Sequence, residues 1–306
     1  AGLLEEVTKG NFQKKFGAKF VLNDKVCDFN FEDQYTNGWK WTWQAPRAEF
    51  DQLLANGVQK KNIPLTFETA VTSIQFNEDE SSITTIEDAT GAKTHIEARY
   101  IIDASGYGRV IPTMLGLNKQ SSFDPRKTHF THYSDPNRPE GVEGNRITVV
   151  IHRQQIWIWI IPFSNGNTSI GFVGDPSFFK DYPEDPAERM RAIVADCEFL
   201  RERFKDQEMV LSPRSIEGYA ITSTTFYGKG FVTVGNATEF LDPIFSSGVT
   251  FAMESGSTAA KLVSRKLKNE TIDFQTEYVD HMMQGINTFR SYVSSWYNGD
   301  LHEIFF

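Results

Sequence analysis

The most constraining feature of this sequence is a long run of short strand-like segments between residues 128 and 225. In NRITVVIHRQQIWIWIIPFSNGNTSIGFVGD, apolar and polar residues alternate, and clusters of Asn, Gly and Ser separate the runs. Alternation with a period of two, broken by turn residues, is typical of antiparallel strands. The region therefore predicts a mostly antiparallel sheet, which one amphipathic helix over DPAERMRAIVADCEFLRERF interrupts.

The segments on either side of this region have a different pattern, in which an apolar strand leads through a glycine-containing loop into a helix. RYIIDASGYGRVIPTMLGL has this order before the sheet, and GFVTVGNATEFLDPIFSSGVTFAMESGSTAAKLVSRKL has it afterwards. We therefore predict a mixed α/β (α+β) fold, in which a doubly wound domain carries an inserted antiparallel-sheet domain and C-terminal helices. The predicted domains are residues 1–9, 40–127 and 226–269 for the doubly wound domain, 10–39 and 128–225 for the antiparallel domain, and 270–306 for the helical segment.

Two local patterns occur near the start of the chain. GAKFVLNDKVCDFNF contains two apolar-rich runs around the turn pair Asn23–Asp24, which predicts a β-hairpin. Pro46 precedes RAEFDQLL and suits the first turn of a helix, because its fixed φ is helical and it has no N–H to leave unbonded.

Composition excludes several classes of partner. The formal net charge of -9 argues against nucleic acid, which requires a basic face. No apolar run reaches about 18 residues, so no membrane span is expected. Cys27 and Cys197 are far apart and indicate unpaired thiols in a reducing, cytoplasmic compartment. His129 and His132 lie three residues apart in a strand-like segment, where they point to opposite faces, so we expect no metal site.

The first candidate ligand-binding loop is DASGYGR, Asp103–Arg109, which follows an apolar strand. Glycine permits a tight turn and lets the backbone approach a ligand closely. A strand-to-helix turn that binds nothing has the same pattern, so both interpretations stay open.

A second candidate loop precedes a helix, and Pro243 and Gly248 bracket its irregular part. The start of a helix has unpaired N–H groups and the positive end of the dipole, which suits an anion or an electron-rich ring edge. Small residues recur along this helix at spacings near three and four, as in close packing against a sheet or a cofactor. A tightly packed buried helix is the alternative. The small residues are Ala252, Ser255, Gly256, Ala259 and Ala260.

Two further segments carry residues in unusual positions. Arg47 lies at the start of a predicted helix, where a cation opposes the helix dipole, which hints at an anionic partner. An ordinary surface arginine is the alternative. In WIWIIP, strand geometry places Trp157 and Trp159 on one face and the isoleucines on the other. The segment is either a strand buried on both faces or a wall of two indoles beside a cavity.

Taken together, these segments resemble the flavin-dependent halogenases and their relatives among the FAD-dependent aromatic hydroxylases, and the resemblance runs through the whole chain. DASG is similar to the second FAD motif of that superfamily, and PRAEFD is similar to its flavin-contacting arginine segment. The two halogenase signatures, W-x-W-x-I-P and F-x-x-P-x-x-S-x-G, are matched by Trp157, Trp159, Ile161 and Pro162, and by Phe240, Pro243, Ser246 and Gly248.

The resemblance implies a mechanism and a set of site residues. In the family, reduced flavin and dioxygen oxidise a halide, and the resulting hypohalous acid reaches a lysine amine beside the substrate. QKKFGAKF places Lys15 at the position of that lysine, and the halide seat corresponds to Ser247 and Gly248. The implied pocket wall is Trp157, Trp159, Ile161, Pro162 and Phe245, and the implied FAD-binding residues are Arg47, Asp103, Ala104, Ser105, Gly106, Gly235, Asn236, Pro243, Ser247, Gly248 and Val249.

Departures from the family pattern narrow the implied substrate. Members that act on tryptophan carry a glutamate where this chain has Phe245. The resemblance therefore implies a phenolic or pyrrolic substrate, which in this branch is often presented on a carrier protein, and a separate flavin reductase. Asn236 replaces the usual aspartate and loses a charge-assisted acceptor for the ribityl chain.

A further departure is that no G-x-G-x-x-G fingerprint occurs in the chain. In the family it lies just before the segment that corresponds to residue 1, so we expect that a unit of roughly 50 residues precedes this chain. Two alternatives to halogenation stay open. One is a non-halogenating reductase, dehydrogenase or monooxygenase of the same superfamily, and the other is a truncated fragment without cofactor.

Overall fold

The computed structural model describes residues 2–306. Its strands are β1 (Gln13–Lys15), β2 (Gly17–Leu22), β3 (Lys25–Asn30), β4 (Thr42–Gln44), β5 (Thr69–Phe76), β6 (Ser82–Asp88), β7 (Lys93–Ala98), β8 (Ile101–Asp103), β9 (Asn118–Gln120), β10 (Lys127–Ser134), β11 (Ile147–Arg153), β12 (Ile156–Pro162), β13 (Asn167–Gly174), β14 (Arg214–Glu217), β15 (Ile221–Ser223), β16 (Tyr227–Gly228) and β17 (Phe231–Thr233).

The helices confirm the predicted helical tail, in which a π-helical turn, Gln275–Asp280, leads into the long C-terminal helix. The α-helices are α1 (Leu4–Lys9), α2 (Arg47–Lys60), α3 (Val110–Met114), α4 (Gly141–Asn145), α5 (Pro186–Asp196), α6 (Glu198–Phe204), α7 (Gly248–Lys266), α8 (His281–Asn298) and α9 (Asp300–Phe305).

Chain contacts divide the molecule into two compact units. The first unit comprises the chain up to Leu65, Pro125–Gly218 and Trp296–Phe306, and the second comprises Thr66–Asp124 and Tyr219–Ser295. These boundaries differ from the predicted domains, because residues 40–65 group with the large sheet. The predicted division by function stays a prediction.

The first unit contains a seven-stranded sheet in the order β14-β10-β13-β12-β11-β2-β3. Every neighbouring pair is antiparallel except β11 and β2, which run parallel. The predicted antiparallel sheet is therefore confirmed, as is the hairpin β2–β3, whose turn residue Asn23 has a φ of 54°. Asparagine tolerates this left-handed conformation better than most residues.

One face of this sheet is covered by α5 and α6. The inward side chains of β12 and β13, such as Ile158 and Phe172, pack against Met190 and Leu200 of these helices, and all four are fully buried. Burying such aliphatic and aromatic side chains stabilises the fold by roughly 1.5–3 kcal/mol each.

The prediction of one helix over residues 185–204 is wrong, because the chain breaks between α5 and α6. Cys197 is extended there, with a φ of -85° and a ψ of 108°, and its thiol is buried in the core. The Arg201 guanidinium donates to the Ala195 and Asp196 carbonyls at the break, which satisfies helix-end acceptors. The amphipathic period continues through both pieces, so the sequence alone shows no break.

The second unit contains the sheets β5-β6-β7 and β16-β17-β8. Strands β17 and β8 run parallel, and each leads through a loop into a helix, α7 and α3 respectively. Both predicted strand-loop-helix segments are therefore confirmed, and so is the mixed α/β fold class. Among residues 2–306, no helix is both long and apolar enough to cross a membrane.

Candidate functional site

The loop after β8 is shaped by the carboxylate of Asp103, which is buried. Its two oxygens accept hydrogen bonds from the backbone N–H groups of Ser105 and Ile111, each at 2.8 Å. The Ser105 hydroxyl in turn accepts from the Val110 N–H at 2.9 Å. Gly106 lies at the tip with a φ of 59°, and nothing approaches within 4 Å of the position that a Cβ would occupy. The turn thus presents bare backbone to a ligand.

Arg109, the last residue of DASGYGR, connects the two candidate flavin loops, although no contact of its side chain was predicted. Its backbone is left-handed, with a φ of 44°, and its side chain is buried. All three guanidinium nitrogens donate hydrogen bonds, and the acceptors come from the loop after β17, from β9 and from β15. A residue-by-residue motif search could have flagged it only as an arginine that follows a glycine turn. The acceptors are Asn118 Oδ1, Thr222 O, Ser223 Oγ, Asn236 O and Ala237 O, at 2.6–3.4 Å.

The loop after β17 is fixed to the small-residue face of α7. The Gly235 N–H donates to the Ser255 hydroxyl at 2.9 Å, and Gly235 is left-handed, with a φ of 56°. A Cβ on Gly235 would lie 3.2 Å from the Cβ of Ala252, so both residues must stay small. Ala259 continues the same buried face, whereas Gly256 has open space beside it. Part of the predicted stripe therefore packs against the loop.

The predicted halide seat lies at the start of α7. Ser247 is the N-cap residue and is buried, but its side chain does not cap the helix. Ser247 and Gly248 both line a cavity of about 10 Å³, which is about the size needed for one water molecule. The positive end of a 19-residue helix favours an anion at this place.

A carboxylate that the sequence did not single out lines the same cavity. Glu239 forms an ion pair with Arg290 and accepts a hydrogen bond from the Thr222 hydroxyl at 3.1 Å. Asp242, three residues further on, is also buried and accepts hydrogen bonds from the Tyr219 hydroxyl and the Ile244 N–H. The negative charge of Glu239 opposes the attraction of the helix start for an anion.

The backbone of these loops has the properties that a flavin cofactor requires. At the tip of the loop after β8, the left-handed Gly106 leaves bare backbone that a ligand can approach closely, and the uncapped first turn of α7 offers N–H groups, as a dinucleotide and a ring edge require. Asp103 and Ser105 contribute by shaping the turn. Gly106, Asn236, Ser247 and Gly248 lie in these loops and at the start of α7, and their predicted contacts with the cofactor stay predictions. Ala104, Pro243 and Val249 belong to the same loops, and their predicted contacts stay predictions.

Phe245, predicted as part of the pocket wall, joins an aromatic cluster within the second unit. Its ring centroid lies 6.3 Å from that of Phe289 and 6.0 Å from that of Tyr292, both on α8. All three rings are at least partly accessible, and Tyr292 is 46% exposed. The cluster can line a pocket for a flat apolar molecule.

Lys15, the predicted catalytic lysine, lies in the first unit at the end of β1. This strand pairs with β4, where Lys15 is opposite Thr42. The side chain is half-buried, and its ammonium lies 5.6 Å from the centre of the Phe31 ring. Burial lowers the pKa of Lys15 from 10.5 to about 8. Within residues 2–306 no carboxylate forms an ion pair with it, so no opposite charge offsets the cost of burying the ammonium.

Arg47 begins α2, and Pro46 is the N-cap residue, in agreement with the predicted helix start. The Arg47 side chain forms a bidentate ion pair with Asp51, with both N–O distances at 2.9 Å. The pair is exposed, and Asp51 offsets the unfavourable position of a cation at the helix start. Its predicted contact with flavin stays a prediction.

The two tryptophans of β12 lie on the same face, as predicted, with ring centroids 6.0 Å apart. Ile158 and Ile160 lie on the opposite, core-facing side, while Ile161 shares the face of the tryptophans. Pro162, at the end of the strand, is buried, and its carbonyl accepts from the Gln44 side chain.

The environments of these two tryptophans differ. Trp157 is only 2% exposed, and its indole N–H donates to the Tyr297 hydroxyl at 3.0 Å. Trp159 is partly accessible and donates to the Ser169 hydroxyl at 3.1 Å. Its ring covers Gly171, where a Cβ would lie 2.1 Å from the indole Cζ2. The segment is thus buried on its core face, and on the other face only the end that carries Trp159 and Ile161 is partly accessible.

Comparisons with known proteins agree with these features. A solved structure of a flavoprotein/dehydrogenase from Cytophaga hutchinsonii shares 57% identity and superposes with a TM-score of 0.97, covering 100% of this chain and 75% of that one. A 1H-pyrrole-2-carbonyl-(peptidyl-carrier protein) brominase from Pseudoalteromonas luteoviolacea is 26% identical, over 90% of this chain and 67% of its own. The flavin-dependent halogenase gsfI of Penicillium aethiopicum is 25% identical, over 86% and 54%.

The chain thus spans about half to three quarters of the length of these proteins. The model of the tryptophan halogenase family matches residues 6–302, which is nearly the whole chain. This match confirms the resemblance first seen in the signatures around Trp157 and Gly248. The chain therefore belongs to the tryptophan halogenase family of flavin-dependent enzymes.

Proposed function

We propose that the protein uses FAD, dioxygen and a halide to halogenate a phenolic or pyrrolic substrate. The observation that carries this proposal is the state of Lys15, which is half-buried, has a pKa near 8 and has no carboxylate partner within residues 2–306. At pH 8 about half of such amines are neutral, and a neutral amine is a nucleophile.

The chemistry divides between the cofactor and the chain. When bound, reduced flavin supplies the electrons that, with those of the halide, reduce dioxygen to hypohalous acid and water. The neutral Lys15 amine takes the halogen from hypohalous acid, so that an N–halogen bond forms, the O–halogen bond breaks and water leaves. The aromatic carbon then takes the halogen and loses a proton, which restores the amine.

The uncapped start of α7 suits the halide, because its N–H groups and dipole favour an anion. Phe245 and its neighbours Phe289 and Tyr292 suit a flat substrate. Because the matched brominase acts on a pyrrole held by a carrier protein, presentation on a carrier is part of the proposal, as is a separate flavin reductase.

A second candidate function is a dehydrogenation or oxygenation without halide. It is favoured by Glu239, whose carboxylate lines the cavity beside Ser247 and Gly248 and repels an anion there. The description of the 57% identical protein as a flavoprotein/dehydrogenase points the same way.

The test uses the full-length protein with a flavin reductase and a panel of phenols and pyrroles, free and carrier-bound. We expect products in which one halogen replaces one hydrogen, formed only when bromide or chloride is present. Lys15→Ala should lower the rate by about 100- to 10,000-fold, while flavin reduction continues. Lys14→Ala is the matched control, because Lys14 lies next to it on β1 but is exposed and rests on the Trp41 ring. Oxidised products that form without halide, at equal rates in both variants, would establish the second candidate.

A further inference from the structure

A cavity of about 390 Å³ lies within the first unit, and Trp157 is the one predicted site residue in its lining. The turn of the β2–β3 hairpin, the turn of the β11–β12 hairpin and the junction of α8 with α9 form its walls. Its volume falls in the range of small-molecule sites, about 300–1,000 Å³. Three properties of the lining indicate what it would bind.

The first property is a rigid aromatic floor. The Trp157 indole bonds to the Tyr297 hydroxyl and makes an edge contact with Trp296, with ring centroids 6.5 Å apart. The buried Arg126 guanidinium lies 4.1 Å from the centre of the Tyr297 ring and donates to the Gln155 side chain at 2.8 Å. These contacts hold two of the three walls in place before any ligand arrives, which lowers the cost of binding.

The second property is the sign of the charge. The described lining contains no Asp or Glu, although the chain has 40 acidic residues against 31 basic ones. Arg153 supplies a cation at the rim, and Asn23, Gln154 and Asn298 supply amides. The ion pair of Arg153 with Asp196 is about half exposed on both sides and is therefore weak, so the guanidinium can exchange it for a bound carboxylate.

The third property is a pair of neutral imidazoles. His152 and His302 both line the cavity, and burial lowers the pKa of each. Each Nε2 is screened from solvent and has no hydrogen-bond partner among residues 2–306. Leaving a buried nitrogen without a hydrogen bond is unfavourable, so a ligand that bonds it gains affinity. A neutral imidazole has one donor and one acceptor, which a ligand hydroxyl complements because it also donates and accepts.

We infer that this cavity binds a flat aromatic molecule that carries a carboxylate and a hydroxyl group. The site is separate from the two-stranded ribbon of β1 and β4, which carries Lys15. The ring rests on the aromatic floor, with Leu22 and Ile156 at its sides. Arg153 binds the carboxylate, and the imidazole of His302 or of His152 receives the hydroxyl. Such a site would add a second small-molecule function to the first unit, independent of whether the enzyme halogenates.

The experiment titrates 4-hydroxybenzoate into the full-length protein, followed by calorimetry and by tryptophan fluorescence. We expect saturable binding and quenching, since Trp157 and Trp296 border the cavity. Arg153→Gln and His302→Gln should each raise Kd about tenfold, equivalent to about 1.4 kcal/mol. Arg191→Gln, an exposed arginine on α5 in the same unit, is the matched control and should leave Kd unchanged. Toluene, which has neither polar group, should bind more weakly.

A filling variant separates binding from folding. Gln154 is exposed in the β11–β12 turn, so Gln154→Trp can enter the cavity mouth without disturbing the core, and it should abolish binding while the melting temperature is kept. Absence of saturable binding, or a Kd that Arg153→Gln, His302→Gln and Gln154→Trp all leave unchanged, would overturn the inference. Loss of binding in Lys15→Ala alone would place the probe at the lysine instead, and would overturn it too.

Discussion

The loops after β8 and β17 differ from the β1–β4 ribbon, which carries Lys15, in how fully their charged side chains are bonded. In the loops, Arg109 and Asp103 have their nitrogens and oxygens bonded to acceptors and donors of the protein itself. In the ribbon, Lys15 is half-buried and has no carboxylate partner in the part of the chain that the structure describes. Side chains whose polar atoms are all hydrogen-bonded hold the loops in one shape. An amine without an ion-pair partner loses its proton more easily. These differences fit the proposed roles, in which the first region holds a ligand and the second reacts with one.

Removing the side chain at the centre of the loops should have the largest effect. Arg109→Ala leaves several buried acceptors without donors, so we expect the free energy of unfolding to fall by about 3 kcal/mol or more. Urea unfolding measures this loss, and flavin fluorescence measures the accompanying fall in FAD affinity. Arg109→Lys should recover only part of the lost stability, because a lysine ammonium cannot reproduce the planar set of hydrogen bonds that the guanidinium donates. Arg99→Ala, exposed in the same unit, is the control and should change stability by less than about 0.5 kcal/mol.

The titration of Lys15 should make both the reaction rate and the stability depend on pH. If Lys15 reacts as a neutral amine, the halogenation rate rises by roughly tenfold per pH unit below pH 8 and levels off above it. Stability carries the same signature, because the folded pKa lies below the value of 10.5 for a free lysine. Between about pH 8 and 10.5 the unfolded chain holds the extra proton, so stability increases with pH across that window. Lys15→Met should remove this increase, and an unchanged pH profile would contradict the assignment.

Features that depend on neighbouring residues could be predicted from the sequence, whereas features that depend on contacts between distant residues could not. The strands, both strand-loop-helix segments and the shared face of Trp157 and Trp159 follow from local period and turn residues. The break between α5 and α6 at Cys197 could not be predicted, because the amphipathic pattern of the sequence continues across it. The bonds of Arg109 to residues more than 100 positions away, and the pair Glu239–Arg290, depend on tertiary folding, which no local pattern encodes. Lys15 was identified by a motif, but its lowered pKa depends on the burial that the fold provides.

Charge at the start of α7 offers a smaller and more specific test. Glu239→Gln removes a negative charge from the wall of the cavity and leaves Arg290 without its partner, so bromide affinity should rise about tenfold. The bromide dependence of the initial rate, or quenching of bound flavin by bromide, gives the affinity. Glu270→Gln is the control, because Glu270 is an exposed partner of Arg265 in the same unit. Equal affinities in the two variants would show that Glu239 does not act on the halide.

The smallest effect is expected within the tryptophan pair. Trp157→Phe loses the bond to Tyr297 in a buried setting, so stability should fall by about 1 kcal/mol or more. Trp159→Phe loses its bond to Ser169 at a partly accessible position and should cost less. Thermal unfolding compares the two variants, and product formation shows whether either residue also acts on substrate access. A larger loss of stability for Trp159→Phe would reverse the comparison.

The contact between Trp159 and Gly171 also constrains the order in which this surface can change. Because a methyl group at 171 would overlap the indole, Gly171→Ala made first forces the ring or the strand to move, at a cost of about 1–3 kcal/mol. If Trp159 is first replaced by a smaller residue, the alanine no longer overlaps the indole, which supplies the three atoms nearest to that position. The two positions are therefore epistatic, and libraries that vary one of them alone will miss the combinations that reshape this wall.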